Sequence, residues 1–149
     1  MKRGAVAGII AAAVWAASEP VLGRALRTPY SDVRLLGALV ATGPRWRPAG
    51  VALHLANGAV FGAVFERLGG RGWVRGVVAA ELENLLLWPG IVVVDRIHPD
   101  RKSGAWPRLA TNPRVAAYEI ATHALFGGVL GALLPNARDG YGSEEPANG

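Results

Sequence analysis

Two histidines and a glutamate have the residue types and the spacing that could carry chemistry in this chain. Glu119 and His123 are four residues apart, so they share one face of a helix and can contact each other. His54 lies in a different apolar segment. An imidazole beside a carboxylate can share a proton, and both groups are ligands for divalent metals. The sequence therefore predicts a buried His/Glu cluster that binds a metal or relays protons.

Two more carboxylates complete the candidate site. Glu19 falls near the end of the first apolar segment, and at about 1.5 Å per residue its depth is close to that of the histidines. Glu83 lies in the third segment. That segment starts at the opposite face of the predicted membrane, which places Glu83 nearer its middle. Imidazole and carboxylate together suit iron, zinc or manganese, and helix bundles hold such sites in their cores. The predicted metal ligands are His54, Glu119, His123, Glu19 and Glu83.

Three other uses of these side chains stay open. They could form a pathway for protons, ligate a haem between the two histidines, or only satisfy one another and fix the packing of the helices. The sequence has no P-loop, no nucleophile elbow and no His-Glu-x-x-His motif, each of which would indicate an enzyme. It therefore predicts no catalytic residue and leans against an enzyme. The cofactor stays open, with a divalent metal ahead of haem.

Composition and charge narrow the class of protein. The 149 residues include no cysteine, which excludes disulfides, iron–sulfur clusters and thiol catalysis. The formal net charge is +5, but the arginines lie between long apolar segments rather than along one face or in a tail. Basic residues in such flanking positions are typical of membrane proteins. We expect a lipid bilayer as the partner, with a second copy or another membrane protein within it, and no nucleic acid.

Four apolar segments of spanning length predict the architecture. At about 1.5 Å per residue, each covers the roughly 30 Å core of a bilayer. The end of the chain is rich in Gly, Glu and Pro, which is the composition of a disordered tail. The sequence thus predicts an all-α, four-helix integral membrane bundle in residues 1–135 and a disordered polar tail in 136–149. The predicted spans are about 4–23, 48–67, 74–94 and 115–135.

The two halves of the chain repeat each other. An Ala-Thr-x-Pro-Arg motif at 41–45 recurs at 110–114, and 41–63 matches 110–132 at ten of 23 positions. At the same offset of 69 residues, the His-x-x-x-Gly-x-x-x-Gly motif that begins at His54 falls on the one that begins at His123. This duplication predicts two parallel two-helix repeats, about 4–67 and 74–135. The glycines predict that the second and fourth helices pack closely along the axis between the repeats.

The first apolar segment also resembles a secretory signal peptide, because Lys2 and Arg3 precede it. The repeat argues against cleavage. Gly-Ile-Ile-Ala-Ala at 8–12 resembles Gly-Val-Val-Ala-Ala at 76–80, and Pro20 falls on Pro89. The segment is therefore expected to be a structural helix that matches the third one.

Two long connections, 24–47 and 95–114, lie at one face of the predicted bundle and hold five basic residues each. The positive-inside rule favours a cytoplasmic position for them in a cell-membrane protein. The apolar stretch 33–41 is too short to span and predicts an interfacial or partly re-entrant helix, with Ser31 or Asp32 as its N-cap. In the second connection His98, Asp100 and Asp95 could bind a cation, but a solvated loop is favoured.

Three stretches carry a resemblance to a known group of proteins. They are Glu-Pro with Thr-Pro-Tyr-Ser-Asp within 19–32, His-x-x-Asn-Gly at 54–58, and Leu-Trp-Pro with Asp-Arg-x-His-Pro within 87–99. Together they resemble small uncharacterised multi-pass membrane proteins of high-GC bacteria. The resemblance covers most of residues 5–135 and implies a membrane location. It implies no activity, and the sequence alone names none.

Overall fold

The computed structural model describes residues 2–136, and within that range every regular element is helical. The predicted tail lies almost wholly outside the described residues. Two short 3-10 turns, Gly43–Arg45 and Trp88–Gly90, each contain a proline and adjoin α-helices. The α-helices are α1 Lys2–Ala25, α2 Asp32–Val40, α3 Trp46–Arg67, α4 Trp73–Leu87, α5 Ile91–Ile97, α6 Pro99–Lys102 and α7 Pro113–Leu133.

Four helical segments are long and apolar enough to cross a membrane, which confirms the predicted set of helices. Pro20 lies inside α1 without interrupting it. Pro89 lies in the 3-10 turn that separates α4 from α5, because proline cannot donate the backbone hydrogen bond that an α-helix needs there. The four segments are Lys2–Ala25, Gly43–Arg67, Trp73–Ile97 and Pro113–Leu133.

Helices α1 and α3 pack through glycines that face each other. A Cβ added at Gly8 would overlap the carbonyl oxygen of Gly58, and one added at Gly4 would overlap that of Gly62. Backbones approach this closely only where side chains are absent. The small-residue stripe of α1 continues through the buried residues Ala7, Ala11 and Ala12 to Trp15.

Helices α4 and α7 pack in the same manner. Added Cβ atoms at Gly76 and Gly127 would overlap each other's carbonyl oxygens, and one at Gly131 would overlap that of Gly72. The prediction that these glycines join the second and fourth spans is therefore wrong. The glycine stripes of α3 and α7 each contact the preceding spanning helix. Helices α3 and α7 meet through the rings of Phe61 and Phe126, 5.3 Å apart.

The short helix α2 confirms the helix predicted over 33–41. Its N-cap is Ser31, whose hydroxyl accepts a hydrogen bond from the amide of Arg34 at 3.1 Å. Its glycine, Gly37, contacts the backbone of Trp46 at the start of α3. The N-terminus of α2 points toward α1, since Glu19 accepts hydrogen bonds from the α2 amides.

The second connection is a packed structure, so the solvated loop expected there is wrong. His98 is fully buried, stacks on Trp106 with ring centroids 4.4 Å apart, and lies 3.3 Å from the Leu35 carbonyl oxygen. Burial lowers the pKa of His98, against the opposing charge of Asp100. The carboxylate of Asp100 accepts two hydrogen bonds from Arg34, at 2.7 and 2.6 Å. Composition alone does not reveal this packing, because the polar groups of the segment find their hydrogen-bond partners inside the protein.

Candidate functional site

A cavity of about 290 Å³ lies between the spanning helices, under α2. Its polar wall contains six titratable side chains, contributed by five different parts of the fold. Apolar and aromatic residues of α1, α2, α4 and α5 form the rest of the wall. These six titratable residues are Tyr30, Asp32, His54, Glu83, Glu119 and His123.

Glu119 and His123 contact each other, as their spacing predicts. The His123 Nδ1 atom lies 3.3 Å from a carboxylate oxygen of Glu119 and 2.8 Å from its carbonyl oxygen. Both residues are more than nine-tenths buried. The short contact to the carbonyl oxygen requires a proton on Nδ1, so Nε2 of the neutral ring is an acceptor.

Glu83 faces that acceptor from α4. A carboxylate oxygen of Glu83 lies 3.7 Å from His123 Nε2. This nitrogen and this carboxylate both need a proton to interact favourably, and one proton between them serves both. The predicted grouping of Glu83 with the Glu119–His123 pair is therefore present in the structure.

Asp32, at the first turn of α2, is the cross-helix partner of Glu119. Its carboxyl accepts hydrogen bonds from the Tyr30 hydroxyl at 2.9 Å and from the Trp15 indole at 3.2 Å. It also lies within hydrogen-bonding reach of the Glu119 carboxyl. Burial, followed by the charges of Glu119 and Glu19, raises the pKa of Asp32 well above its usual range, although the Tyr30 hydrogen bond opposes this.

Burial and the same carboxylates raise the pKa of Tyr30, so its phenol stays protonated and remains a donor. Tyr118 places a second phenol beside this group. Its hydroxyl is fully buried, next to the carboxyls of Glu19 and Glu119. Two phenols therefore surround the carboxyl pair that Asp32 and Glu119 form.

Glu19 has a local task that its sequence context does not reveal. Its carboxylate accepts hydrogen bonds from the Ser31 hydroxyl at 2.5 Å and from the amides of Asp32 and Val33 at 2.8 and 3.1 Å. A carboxylate at a helix N-terminus satisfies free amides and interacts favourably with the helix dipole. Glu19 thus anchors α2 to α1. Its charge also interacts electrostatically with Glu119.

His54 lies at the other side of an indole ring. The Trp15 ring centroid is 4.9 Å from that of His54 and 4.6 Å from that of His123. The sequence also predicts His54 as the nearest polar neighbour of the Glu119–His123 pair from another helix. The structure instead places Glu83 3.7 Å from His123 and the Trp15 ring against both imidazoles. The Nε2 atom of His54 is buried and has no hydrogen-bond partner among the described residues.

The arrangement bears on both cofactors that the sequence suggested. Residues 2–136 contain no group of three or more His, Asp or Glu side chains placed to hold a metal ion. A metal site at the five predicted ligands stays a prediction of the sequence. The indole of Trp15 contacts both imidazoles, so a haem ligated by His54 and His123 would have to displace it.

The balance of charge in the cavity is unusual. Three carboxyls line it, those of Asp32, Glu83 and Glu119, yet no lysine or arginine of the described residues does. Unpaired ionised carboxylates are costly in a water-poor interior. Sequence reasoning missed Asp32, Tyr30 and Trp15, since Asp32 appeared only as a candidate helix cap and the aromatics carry no signal of their own.

Comparisons with known proteins leave the assignment to the geometry. No family model matches the chain, and neither a curated protein nor a solved structure is significantly similar to it.

Proposed function

We propose that this is an integral membrane protein whose interior binds protons and relays them between buried carboxyl and imidazole groups. One observation carries the proposal. The carboxyls of Asp32 and Glu119, which are within hydrogen-bonding reach of each other, line a cavity that within the described residues has no basic side chain other than histidine. A proton is the simplest cation that makes such a pair stable.

The electrostatics of the pair support one shared proton. Two carboxylates that share a site do not both ionise readily, because each raises the pKa of the other. Here the Tyr30 and Trp15 donors can stabilise the one negative charge that the pair retains. The pair with one proton is therefore the favoured state at neutral pH.

The groups around the pair form a series of neighbouring proton carriers. On one side are Tyr118 and Glu19, at the junction with α2. On the other side are His123, 3.3 Å from Glu119, and Glu83, 3.7 Å from His123. Series of Asp, Glu and His inside membrane helices are typical of proton pathways. The series runs from the end of α1 toward the middle of α4.

The proposal includes the finer architecture. The chain crosses the membrane four times as two parallel two-helix repeats, with both long connections in the cytoplasm. The glycine contacts support the repeats, since α1 with α3 and α4 with α7 use glycine pairs in the same manner. The basic residues of the long connections support the orientation.

A structural role is the second candidate, and one observation favours it. Glu19 is used to anchor α2, and Arg34 with Asp100 joins α2 to α6. Polar groups in this protein therefore do fix the positions of helices. The orphaned Nε2 of His54 and the unneutralised carboxyl pair are not explained by that role, because both cost stability.

Counting protons separates the two candidates. Purified protein in detergent, in weakly buffered solution with a pH-indicator dye, is taken from about pH 8 to about pH 5.5, which lies above the ordinary pKa of Asp and Glu. Between pH 8 and pH 5.5 we expect wild type to bind about one proton more than Asp32→Asn/Glu119→Gln. If the pair already holds its proton at pH 8, wild type should instead release that proton only above pH 8.

The control is Glu81→Gln, two residues before Glu83 on α4, whose carboxyl contacts Asn84 and does not line this cavity. Its proton count should equal that of wild type. If the double variant and wild type have the same proton content from about pH 5.5 to pH 10, no proton resides at the pair and a structural role explains the cluster.

A further inference from the structure

We propose that the cavity binds a small organic ammonium ion, an amine with an apolar body, which takes the place of the proton at the carboxyl pair. This inference rests on the proposed function, because the cation and the proton are alternative ways to neutralise the same carboxylates. Exchange balances charge. One ammonium enters, and one proton leaves the Asp32–Glu119 pair for solvent.

The size and the wall of the cavity fit such a ligand. Its volume of about 290 Å³ is near the lower end of the range for small-molecule sites. Trp15, Tyr30 and Trp88 contribute aromatic surface to the wall, and leucines of α2 and α4 contribute aliphatic surface. Aromatic rings beside carboxylates are the usual recognition elements for organic cations.

The placement of the carboxyls favours an organic cation over a metal ion. Glu83 and the Asp32–Glu119 pair line the wall without converging, within the described residues, into a set that could ligate one ion. A metal requires several ligand atoms at about 2.0–2.6 Å from one point. An ammonium group on an apolar body needs only one or two carboxylates and a wall for the rest of the molecule.

His54 is a further polar residue of the cavity wall. It is 5% exposed, it lines the cavity, and its Nε2 has no partner among the described residues. A buried ring nitrogen without a partner costs stability comparable to a lost hydrogen bond.

Several titratable groups face the carboxyl pair and set its response to pH. They come from the loop before α2 and from all four spanning segments, so the pair's affinity for a proton or a cation belongs to the whole group. These neighbours are Tyr30, Glu19, His54, Glu83, Tyr118 and His123.

Isothermal titration calorimetry with benzylammonium tests the inference on purified wild-type protein in detergent. Benzyl alcohol is the matched neutral probe, because it has the same ring and a hydroxyl instead of the ammonium. We expect saturable binding of benzylammonium and only non-saturable partitioning of benzyl alcohol. The indicator dye should record release of about one proton per bound cation.

Variants locate the site. Asp32→Asn/Glu119→Gln should weaken benzylammonium binding roughly tenfold or more, which corresponds to about 1.4 kcal/mol, while Glu81→Gln should bind like wild type. Equal behaviour of the two probes with wild type, or no saturable binding of benzylammonium, would overturn the inference without recourse to any variant. A proton count that differs between wild type and the double variant, together with no cation binding, would leave the proposed function standing alone.

Discussion

At the scale of single residues, the cluster is organised around Trp15. Its indole donates to Asp32 at 3.2 Å and its ring contacts both His54 and His123. One aromatic side chain thus touches a carboxyl from the α2 turn and imidazoles from two spanning helices. The Glu119–His123 contact was predictable because the i, i+4 rule needs only sequence. The position of Trp15 was not, because it depends on how α1 packs against α3 and α7.

The Glu119–His123 contact predicts coupling between the two side chains. His123→Leu and Glu119→Leu should each lower the melting temperature in detergent, because each strands a buried polar partner. The double variant should be less destabilised than the sum of the two, with a coupling free energy of about 0.5–3 kcal/mol. Additive melting shifts would show that the 3.3 Å contact has no energetic significance.

Asp32 predicts a pH dependence of stability. Its pKa is raised from an ordinary 3.8, mainly by burial. A carboxyl of this kind contributes stability that is fully present below pH 3.8 and is lost as the pH rises through the raised pKa. The melting temperature of wild type, relative to that of Asp32→Asn, should therefore decrease as the pH is raised from about 4 through the neutral range. A relative melting temperature that instead increases with pH would mean that Asp32 is ionised and paired in the folded state.

At the scale of elements, glycine contacts and short connecting helices position the site. The sequence revealed the glycine stripes and the helix over 33–41, because spacing and length alone indicate them. It did not reveal that the stripes of α3 and α7 each face the preceding spanning helix. In α7, Gly128 lies beside Gly127 but on a different face, and only the packed structure distinguishes them.

That difference provides a matched pair of variants. Gly127→Ala places a Cβ into the Gly76 backbone, whereas Gly128→Ala meets only a Val77 methyl at an ordinary 3.8 Å. We expect Gly127→Ala to destabilise by about 1–3 kcal/mol through overpacking. Gly128→Ala should be neutral or stabilising by up to about 1 kcal/mol through helix propensity. Thermal denaturation in one detergent compares the two; equal melting temperatures would contradict the α4–α7 packing.

Helix α2 predicts a second effect at this scale. Arg34 holds Asp100 with two hydrogen bonds, and the Asp100 carboxylate beside it raises the pKa of the guanidinium further. Asp100→Asn keeps the size of the side chain but removes its charge, so it should loosen 98–109 more than the spanning helices. Hydrogen exchange measured by mass spectrometry should show faster exchange in 98–109 and unchanged exchange in the middle of α7. Unchanged exchange in both would show that the pair does not anchor this segment.

At the scale of the whole molecule, large apolar side chains are exposed along the spanning segments, while Glu119 is buried and Asp32 and Glu83 are partly buried at the cavity. Many large apolar side chains of α4 are exposed, among them Leu85 and Leu86 at 70% and 77%. The four segments of spanning length were predictable because hydropathy needs no tertiary information. The cavity was not, since it lies where the α2 turn meets all four spanning segments, and no linear pattern encodes that meeting.

This surface predicts firm membrane association. Expressed in a bacterial host, the protein should remain in the membrane pellet after extraction with alkaline carbonate, because four apolar segments are held by the hydrophobic effect rather than by charge. A peripheral protein of the host that is held by charge is released under the same treatment and is the control. Recovery of the protein in the supernatant would contradict the membrane architecture.

The shared proton of Asp32 and Glu119 is the central claim, and infrared spectroscopy observes it most directly. A protonated carboxyl has a C=O stretching band separate from the bands of carboxylates, and the band shifts in deuterated water. In spectra recorded at neutral pH, wild type should show such a band that Asp32→Asn/Glu119→Gln lacks and Glu81→Gln retains. A wild-type spectrum without a protonated-carboxyl band, or with a band that the double variant keeps unchanged, would contradict the account.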